Sequence, residues 1–216
     1  MTLPHAELAQ GARAARRLGL LGGSFDPPHA GHTHAARAAA AAFELDHVVF
    51  VPAARPPHKL DRVMTAAEHR LAMLELFVAG EPGWSIWSGE LSRDGPSYSV
   101  DTARAVAVEL PGVELFWILG SDNLAGLPTW HRAEELVRLA RPIVILRRGD
   151  PPRLEATGAL SEVARARIAA GLVEVDPIAE SSSAVREHLA AGRDPGPGLP
   201  GPVREYAARK GIYRGS

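Results

Sequence analysis

Residues 22–32 read Gly-Gly-Ser-Phe-Asp-Pro-Pro-His-Ala-Gly-His, and these residue types at this spacing suit the binding of a polyphosphate. Glycine has no Cβ, so the backbone N–H groups around Gly22 and Gly23 can approach an anion closely. His29 and His32 follow in the pattern His-x-Gly-His, just before an alanine-rich run at 35–42 that reads as a helix. A helix N-terminus carries positive partial charge, and two imidazoles placed there can donate hydrogen bonds to phosphate oxygens. That makes a phosphate grip without the lysine of a Walker loop. The plainer reading is a turn with surface histidines. It is disfavoured because both the glycine and the histidine positions are in place across all eleven residues. A metal site from His29, His32 and His34 ranks lower. His32 and His34 lie two apart and point to different faces of a helix, and the chain has no cysteine to complete a zinc set.

A second run, Ser181-Ser182-Ser183-Ala184-Val185-Arg186, sits at the other end of the chain. Serine is a preferred N-cap, so one serine is explained by structure alone. Three serines and an arginine one turn into a helix can also face hydroxyls, N–H groups and a guanidinium toward one anion. Taken alone, this run reads best as a capped helix with a solvated arginine. Its pairing with His-x-Gly-His is what favours an anion site.

These residues need a scaffold, and the hydropathy pattern supplies one. Short apolar runs at 18–21, 47–51, 84–88, 114–119, 142–147 and 172–175 predict strands. Helical patterns at 31–43, 65–79, 99–109, 131–139, 160–170, 182–190 and 202–210 alternate with them. The alternation predicts an α/β fold with a mostly parallel sheet. Thr65-Ala-Ala-Glu68 reads as a capping box for the second helix. Pro52–Val63, containing Pro56-Pro57-His58-Lys59, and Gly120–Trp130 read as long functional loops. The Gly/Pro-rich stretch 192–202 reads as a linker to the last helix. Residues 1–17 read as a flexible leader without the apolar core of a signal peptide, and 18–216 as a single domain with a C-terminal helical part.

Composition narrows the partners. A chain of 216 residues with 46% hydrophobic residues can bury a full core. A formal net charge of −1 argues against binding nucleic acid through phosphate contacts, though a small nucleotide needs only local positive charge. With no cysteine, disulfides and thiol catalysis are excluded. No apolar run reaches the ~18 residues of a membrane helix. The expectation is therefore a cytoplasmic protein with no membrane partner. Self-association is left open.

With both motifs on the page, the chain resembles the nucleotidyltransferase superfamily that transfers AMP or CMP from a nucleoside triphosphate. More narrowly, from about residue 18 to the C-terminus, it resembles the bacterial nicotinate-nucleotide adenylyltransferases. The narrowing rests on Gly95-Pro96-Ser97-Tyr98-Ser99-Val100-Asp101-Thr102 and Leu127-Pro128-Thr129-Trp130. Val51-Pro52, Pro56-Pro57-His58-Lys59, Leu119-Gly120-Ser121-Asp122-Asn123 and the terminal Val203, Tyr206, Gly211-Ile212-Tyr213 agree with it. The pattern departs where the family has Ile-Ser-Ser-Thr-x-Ile-Arg and this chain has Glu180 ahead of the serines, and where Ser99 replaces a threonine. Both serine replacements keep the hydroxyl.

The resemblance implies a Rossmann-like nucleotidyltransferase fold with helices on both faces of the sheet. It also implies AMP transfer from ATP to nicotinate mononucleotide, giving deamido-NAD and pyrophosphate, with Mg²⁺ on the phosphates and few direct protein ligands. It gives His29, His32 and Arg186 catalytic roles on the phosphates. Gly22, Gly23, Ser24, Phe25, Gly120, Asp122, Ser181 and Ser182 are implied to bind ATP, with Asp122 accepting from ribose hydroxyls. His58 and Lys59 are implied for the mononucleotide phosphate, Tyr98 and Ser99 for the nicotinate carboxylate, and Trp130 for stacking on the pyridine. Arg147 is implied at the same end. Read singly, Asp122 is equally a turn residue, Trp130 a core residue and Lys59 a solvated loop lysine. The alternatives are an adenylyltransferase acting on nicotinamide mononucleotide, phosphopantetheine or FMN, or a nucleotide-binding sensor without turnover.

Overall fold

The computed structural model describes residues 5–56, 63–177 and 181–214. Among them, six strands form one sheet: β1 (Arg17–Gly23), β2 (His47–Pro52), β3 (Trp84–Ile86), β4 (Glu114–Gly120), β5 (Arg141–Arg147) and β6 (Leu172–Val175). The order is β3-β2-β1-β4-β5-β6, and every pairing is parallel. The helices are α1 (Gln10–Ala14), α2 (Ala30–Phe43), α3 (Ala67–Val78), α4 (Ser99–Glu109), α5 (Ala133–Leu139), α6 (Glu162–Ala169), α7 (Ser182–Ala190) and α8 (Gly201–Lys210).

The strands read as continuous apolar runs because both faces of the sheet are covered. Successive residues feed opposite cores. Leu18, Leu20, Val49, Val51, Leu115, Trp117 and Val144 pack with residues of α1, α4, α5 and α6. Leu21, Val48, Phe50, Phe116, Ile118 and Ile143 pack with residues of α2, α3, α7 and α8. Each such fully buried large side chain contributes about 1.5–3 kcal/mol. The alanine run gives α2 a thin face, with Ala36 and Ala39 fully buried, so the helix lies close across β1, β2, β4, β5 and β6. That seating holds the N-terminus of α2 against the C-terminal edge of the sheet.

Two readings of the sequence are corrected here. Residues 5–16 are packed, not a flexible leader. Leu8, just ahead of α1, and Ala12 within it are buried in the core that holds Trp87. Trp87 Nε1 donates to the Ala6 carbonyl at 3.0 Å, and the Ser88 N–H donates to the His5 carbonyl at 2.8 Å. The Trp87 N–H still donates to the Phe50 carbonyl of β2 at 3.0 Å, and it is the turning of the Ser88 N–H to His5 that keeps the pairing from reaching residue 88. The second correction concerns α3. Its N-cap is Ala66, with no side-chain cap, so Thr65 and Glu68 form no capping box.

Candidate active site

Parallel pairing brings the C-terminal ends of all six strands to one edge, and the loops leaving them carry the candidate residues. The strand order reverses between β1 and β4, the place where open α/β sheets form a ligand crevice. Leu21 of β1 lies opposite Ile118 of β4, and each strand ends in glycine two residues later, at Gly23 and Gly120. A Cβ on Gly23 would stand 3.1 Å from the Phe25 ring, and one on Gly120 would stand 2.5 Å from Asp122 Oδ1. At Gly23 a Cβ would crowd the buried Phe25 ring, whereas at Gly120 it would displace only the exposed Asp122 carboxylate. Without a Cβ at Gly120, the Asp122 carboxylate folds back over the strand end. Phe25 takes a left-handed φ of 47° and is buried, with its ring 4.9 Å from His32 and 5.8 Å from Phe50. The cost of that backbone, about 1–3 kcal/mol, is borne by these ring contacts.

His29 and His32 begin α2 in an unusual reciprocal cap. His29 Nδ1 accepts from the Gly31 N–H at 3.1 Å, and the His29 N–H donates to His32 Nδ1 at 3.2 Å. The two rings lie 4.0 Å apart. An Nδ1 that accepts carries no hydrogen, so in the neutral rings Nε2–H is the remaining donor of each. Burial lowers the His29 pKa to about 4, which keeps it neutral at pH 7. His29 thus presents a hydrogen-bond donor, not a cation.

The two ends of the chain meet at this loop. Ser181 caps α7 by accepting from the Ala184 N–H at 3.2 Å. Ser182 Oγ donates to the Pro27 carbonyl at 3.0 Å. Arg186 Nη1 donates to the Asp26 carbonyl, and Nη2 donates to Ser183 Oγ at 2.9 Å. Two of the five guanidinium N–H groups are used, and the bonds to Pro27 and Asp26 hold α7 beside the His-x-Gly-His turn. Ser182 therefore spends its one hydroxyl hydrogen on Pro27, while Arg186 keeps further N–H groups at the turn that leads to His29. Glu180 lies outside the described residues.

Sequence reasoning missed the support under this loop. Arg70 on α3 is only 2% exposed. Its Nη1 donates to the Ser24 carbonyl at 2.7 Å and its Nε to the Thr65 carbonyl at 3.0 Å. Asp26 Oδ1 accepts from the Tyr213 hydroxyl at 2.6 Å, and Oδ2 accepts from the Thr65 N–H at 3.3 Å. Thr65 is engaged by this network, which is why it caps nothing. Burial and the Asp26 carboxylate push the Tyr213 hydroxyl well above its usual pKa, so it stays a donor. An arginine directly ahead of the largely apolar stretch Leu71–Phe77 was the available sequence signal, since a buried charge must be paired. Tyr213→Phe is expected to lower stability by about 1–3 kcal/mol, the cost of an unpaired buried acceptor. Urea unfolding checks this, and a change near zero removes Tyr213 from the network.

The second group of candidates lies across the loops after β2, β3 and β4. Tyr98 is the N-cap of α4 and Ser99 its first residue, so the Ser99 hydroxyl caps nothing. The Tyr98 N–H donates to the Pro96 carbonyl at 3.1 Å. The donors left at this helix end are then the N–H groups of Ser99 and Val100, which precede the first intrahelical bonds. The Tyr98 ring lies 4.3 Å from His131, which follows Trp130. Trp130 is half-buried and packs on the core next to α5. Asp122 is exposed in a short 3-10 turn and accepts from Asn123 Nδ2 at 3.1 Å. Arg147 is exposed at the end of β5. His58 and Lys59 lie outside the described residues. Among the described residues, no group of three His, Cys, Asp or Glu is placed to hold a metal ion.

With this geometry in hand, comparison with known proteins decides the family. The cytidylyltransferase-like family model matches residues 20–188. A "Probable nicotinate-nucleotide adenylyltransferase" of Thermomicrobium roseum is 40% identical over 198 residues, 92% of each chain. One of the same name from Geobacillus thermodenitrificans is 39% identical over 197 residues, 91% of this chain and 86% of the relative. The chain belongs to the nicotinate-nucleotide adenylyltransferase family. The fold agrees. Plasmodium falciparum nicotinic acid mononucleotide adenylyltransferase, solved in complexes with NaAD and with APC, superposes with a TM-score of 0.68 at 18% identity, covering 92% of this chain and 97% of the other. Membership makes the protein a nucleotidyltransferase with a Rossmann-like, all-parallel sheet. Among the described residues, no helix is long and apolar enough to cross a membrane.

Proposed function

We propose that the protein transfers AMP from ATP to nicotinate mononucleotide, forming deamido-NAD and pyrophosphate. The observation that carries this reading is the meeting of His29, His32, Ser182 and Arg186 at the edge of β1. Ser182 and Arg186 bond the Pro27 and Asp26 carbonyls of the turn that leads to His29, so ring N–H groups, a guanidinium and helix N-termini come together as donors suited to phosphates. The names of the relatives supply the acceptor.

The reaction needs no protein nucleophile. An oxygen of the mononucleotide 5′-phosphate attacks the α-phosphorus of ATP. The new P–O bond forms as the bond from the α-phosphorus to the α–β bridging oxygen breaks, and pyrophosphate leaves in line. Catalysis is then positioning and stabilisation of spreading negative charge. In this reading the Nε2–H donors of His29 and His32 meet the α-phosphoryl oxygens and the bridge. Ser181, Arg186 and the Ser182 N–H at the start of α7 hold the outer phosphates, while the backbone at Gly22–Phe25 lines the nucleotide. Gly120 and Asp122 meet the ribose. The acceptor lies against Tyr98, Ser99 and Trp130, its phosphate toward His58 and Lys59, with Arg147 at the same edge.

The donors described suit an anion, and both Asp26 oxygens are engaged by Tyr213 and Thr65. Mg²⁺ accordingly belongs to the substrate as MgATP, bound through phosphate oxygens and water. Pyrophosphate release with ATP and Mg²⁺, measured for nicotinate mononucleotide, nicotinamide mononucleotide, phosphopantetheine and FMN in turn, tests the reading. Turnover is expected to be fastest by far with nicotinate mononucleotide. ATP binding without turnover on any acceptor would establish a sensor instead.

A further inference from the structure

Glu90 is a buried acid, 4% exposed, that the mechanism above does not use. It sits in the loop after β3, between two hydroxyl groups whose directions are forced. Ser97 Oγ accepts from the Ala54 N–H at 3.0 Å and from the Arg55 N–H at 3.2 Å. Both lone pairs are taken, which leaves its one hydrogen for the Glu90 carboxylate, whose charged form this hydroxyl favours. Thr102 Oγ1, on the first turns of α4, accepts from Arg93 Nη2 at 2.7 Å and donates to Glu90 Oε1 at 2.5 Å. The Ser97 N–H adds a bond to the Arg55 carbonyl at 3.0 Å. Ser97 is 9% exposed and Thr102 is fully buried.

The carboxylate therefore joins three segments: the start of the loop after β2, the loop after β3, and α4. What these segments share is the place where Ser97 passes into Tyr98 and Ser99. We propose that Glu90 is a positioning residue for acceptor selectivity, fixing Tyr98–Ser99 and the N–H groups that begin α4 against the loop after β2. The proposal rests on the acceptor reading above. Glu90 touches no substrate; it acts through Ser97 and Thr102. Burial raises its pKa while the hydroxyl donors and Arg93 oppose that rise, which is the setting of an acceptor built to take several donors at once.

Glutamine at this position cannot do the same. Its neutral oxygen accepts less strongly than a carboxylate oxygen and its NH₂ cannot accept at all, so the donors gathered on the charged group lose part of their acceptor. Glu90→Gln is expected to lower kcat/KM for nicotinate mononucleotide about 10-fold or more, and to reduce its advantage over nicotinamide mononucleotide by a similar factor. KM for ATP is expected to stay within about 2-fold, a split that general loosening of the fold does not produce. Thr102→Val, which removes one donor and keeps the shape, is expected to move the same ratio in the same direction should Glu90→Gln fail to fold. Thr102→Ser, which keeps the hydroxyl, is expected to retain the wild-type ratio. Wild-type selectivity in folded Glu90→Gln and Thr102→Val overturns the proposal alone, as does an equal loss on ATP and acceptor. A wild-type enzyme that uses both mononucleotides equally overturns the acceptor reading and this proposal with it.

Discussion

His29→Ala is expected to lower kcat by about 10²–10³, the scale seen when one donor to developing phosphoryl or oxyanion charge is removed. The side chain has two jobs, one on each ring nitrogen. Nδ1 caps α2 by accepting from Gly31, and Nε2–H is left for the substrate. Alanine removes both, so the variant also loses about 0.5–2 kcal/mol of cap stability. Asparagine separates the two roles. Its short side chain can accept at the cap but does not reach as far as Nε2. His29→Asn is expected to recover the stability and not the turnover. Steady-state kinetics and urea unfolding on both variants check this, and near-wild-type kcat in either variant ends the catalytic assignment of His29.

The same pair of jobs sets a pH dependence. The folded protein holds His29 neutral down to about pH 4, against 6.5 for the unperturbed group. Between those values the unfolded state binds more protons. The stability attached to neutral His29 is complete above pH 6.5, declines as pH falls from 6.5 to 4, and below that is lost by about 3 kcal/mol. Protonation also fills Nδ1 and breaks the cap to Gly31. His29→Asn does not titrate, so its unfolding free energy is expected to fall less steeply over this range. Parallel slopes for wild type and variant would move the titration to another group.

The sequence carried most of the scaffold because its elements are set by local pattern. β2 and β4 are apolar at nearly every position, and α4 and α7 begin and end where their periodicity does. It also carried the two phosphate motifs, since glycine, histidine and serine at fixed spacing express a geometry. What it did not carry depends on partners far along the chain. Arg70 reads as a helix-surface arginine until Ser24 is placed 2.7 Å from it. Thr65 reads as a cap until Asp26 takes its N–H. The segment 5–16 has no strong pattern, and its docking depends on partners far along the chain, such as Trp87 and Ser88 just after β3. Ser182 and Arg186 were read as phosphate ligands, yet part of their bonding goes to Pro27 and Asp26. No spacing rule shows a bond across 155 residues.

Nicotinate mononucleotide is expected to be preferred over nicotinamide mononucleotide by about 10- to 10³-fold in kcat/KM. The substrates differ only in a carboxylate against a carboxamide. The start of α4 offers donors: the N–H groups of Ser99 and Val100, the Ser99 hydroxyl, and the positive end of the helix. A carboxylate accepts at both oxygens. A carboxamide accepts at one and turns its NH₂ toward the remaining donor, and such a buried mismatch costs about 1–3 kcal/mol. The structure sharpens which donors matter. The Tyr98 N–H is spent on Pro96, so Tyr98 contributes its ring, beside His131, and not its amide. Ser99 caps nothing, so its hydroxyl is free of structural duty on the helix. Ser99→Ala is therefore expected to fold normally, with a Tm close to wild type, while the preference falls by about 10-fold, one hydrogen bond to a charged group. Both mononucleotides measured on wild type and on Ser99→Ala decide between the donors. A preference that Ser99→Ala leaves intact would assign selectivity to the backbone N–H groups of Ser99 and Val100, whose direction is set by the way Ser97 ties this segment to Ala54 and Arg55.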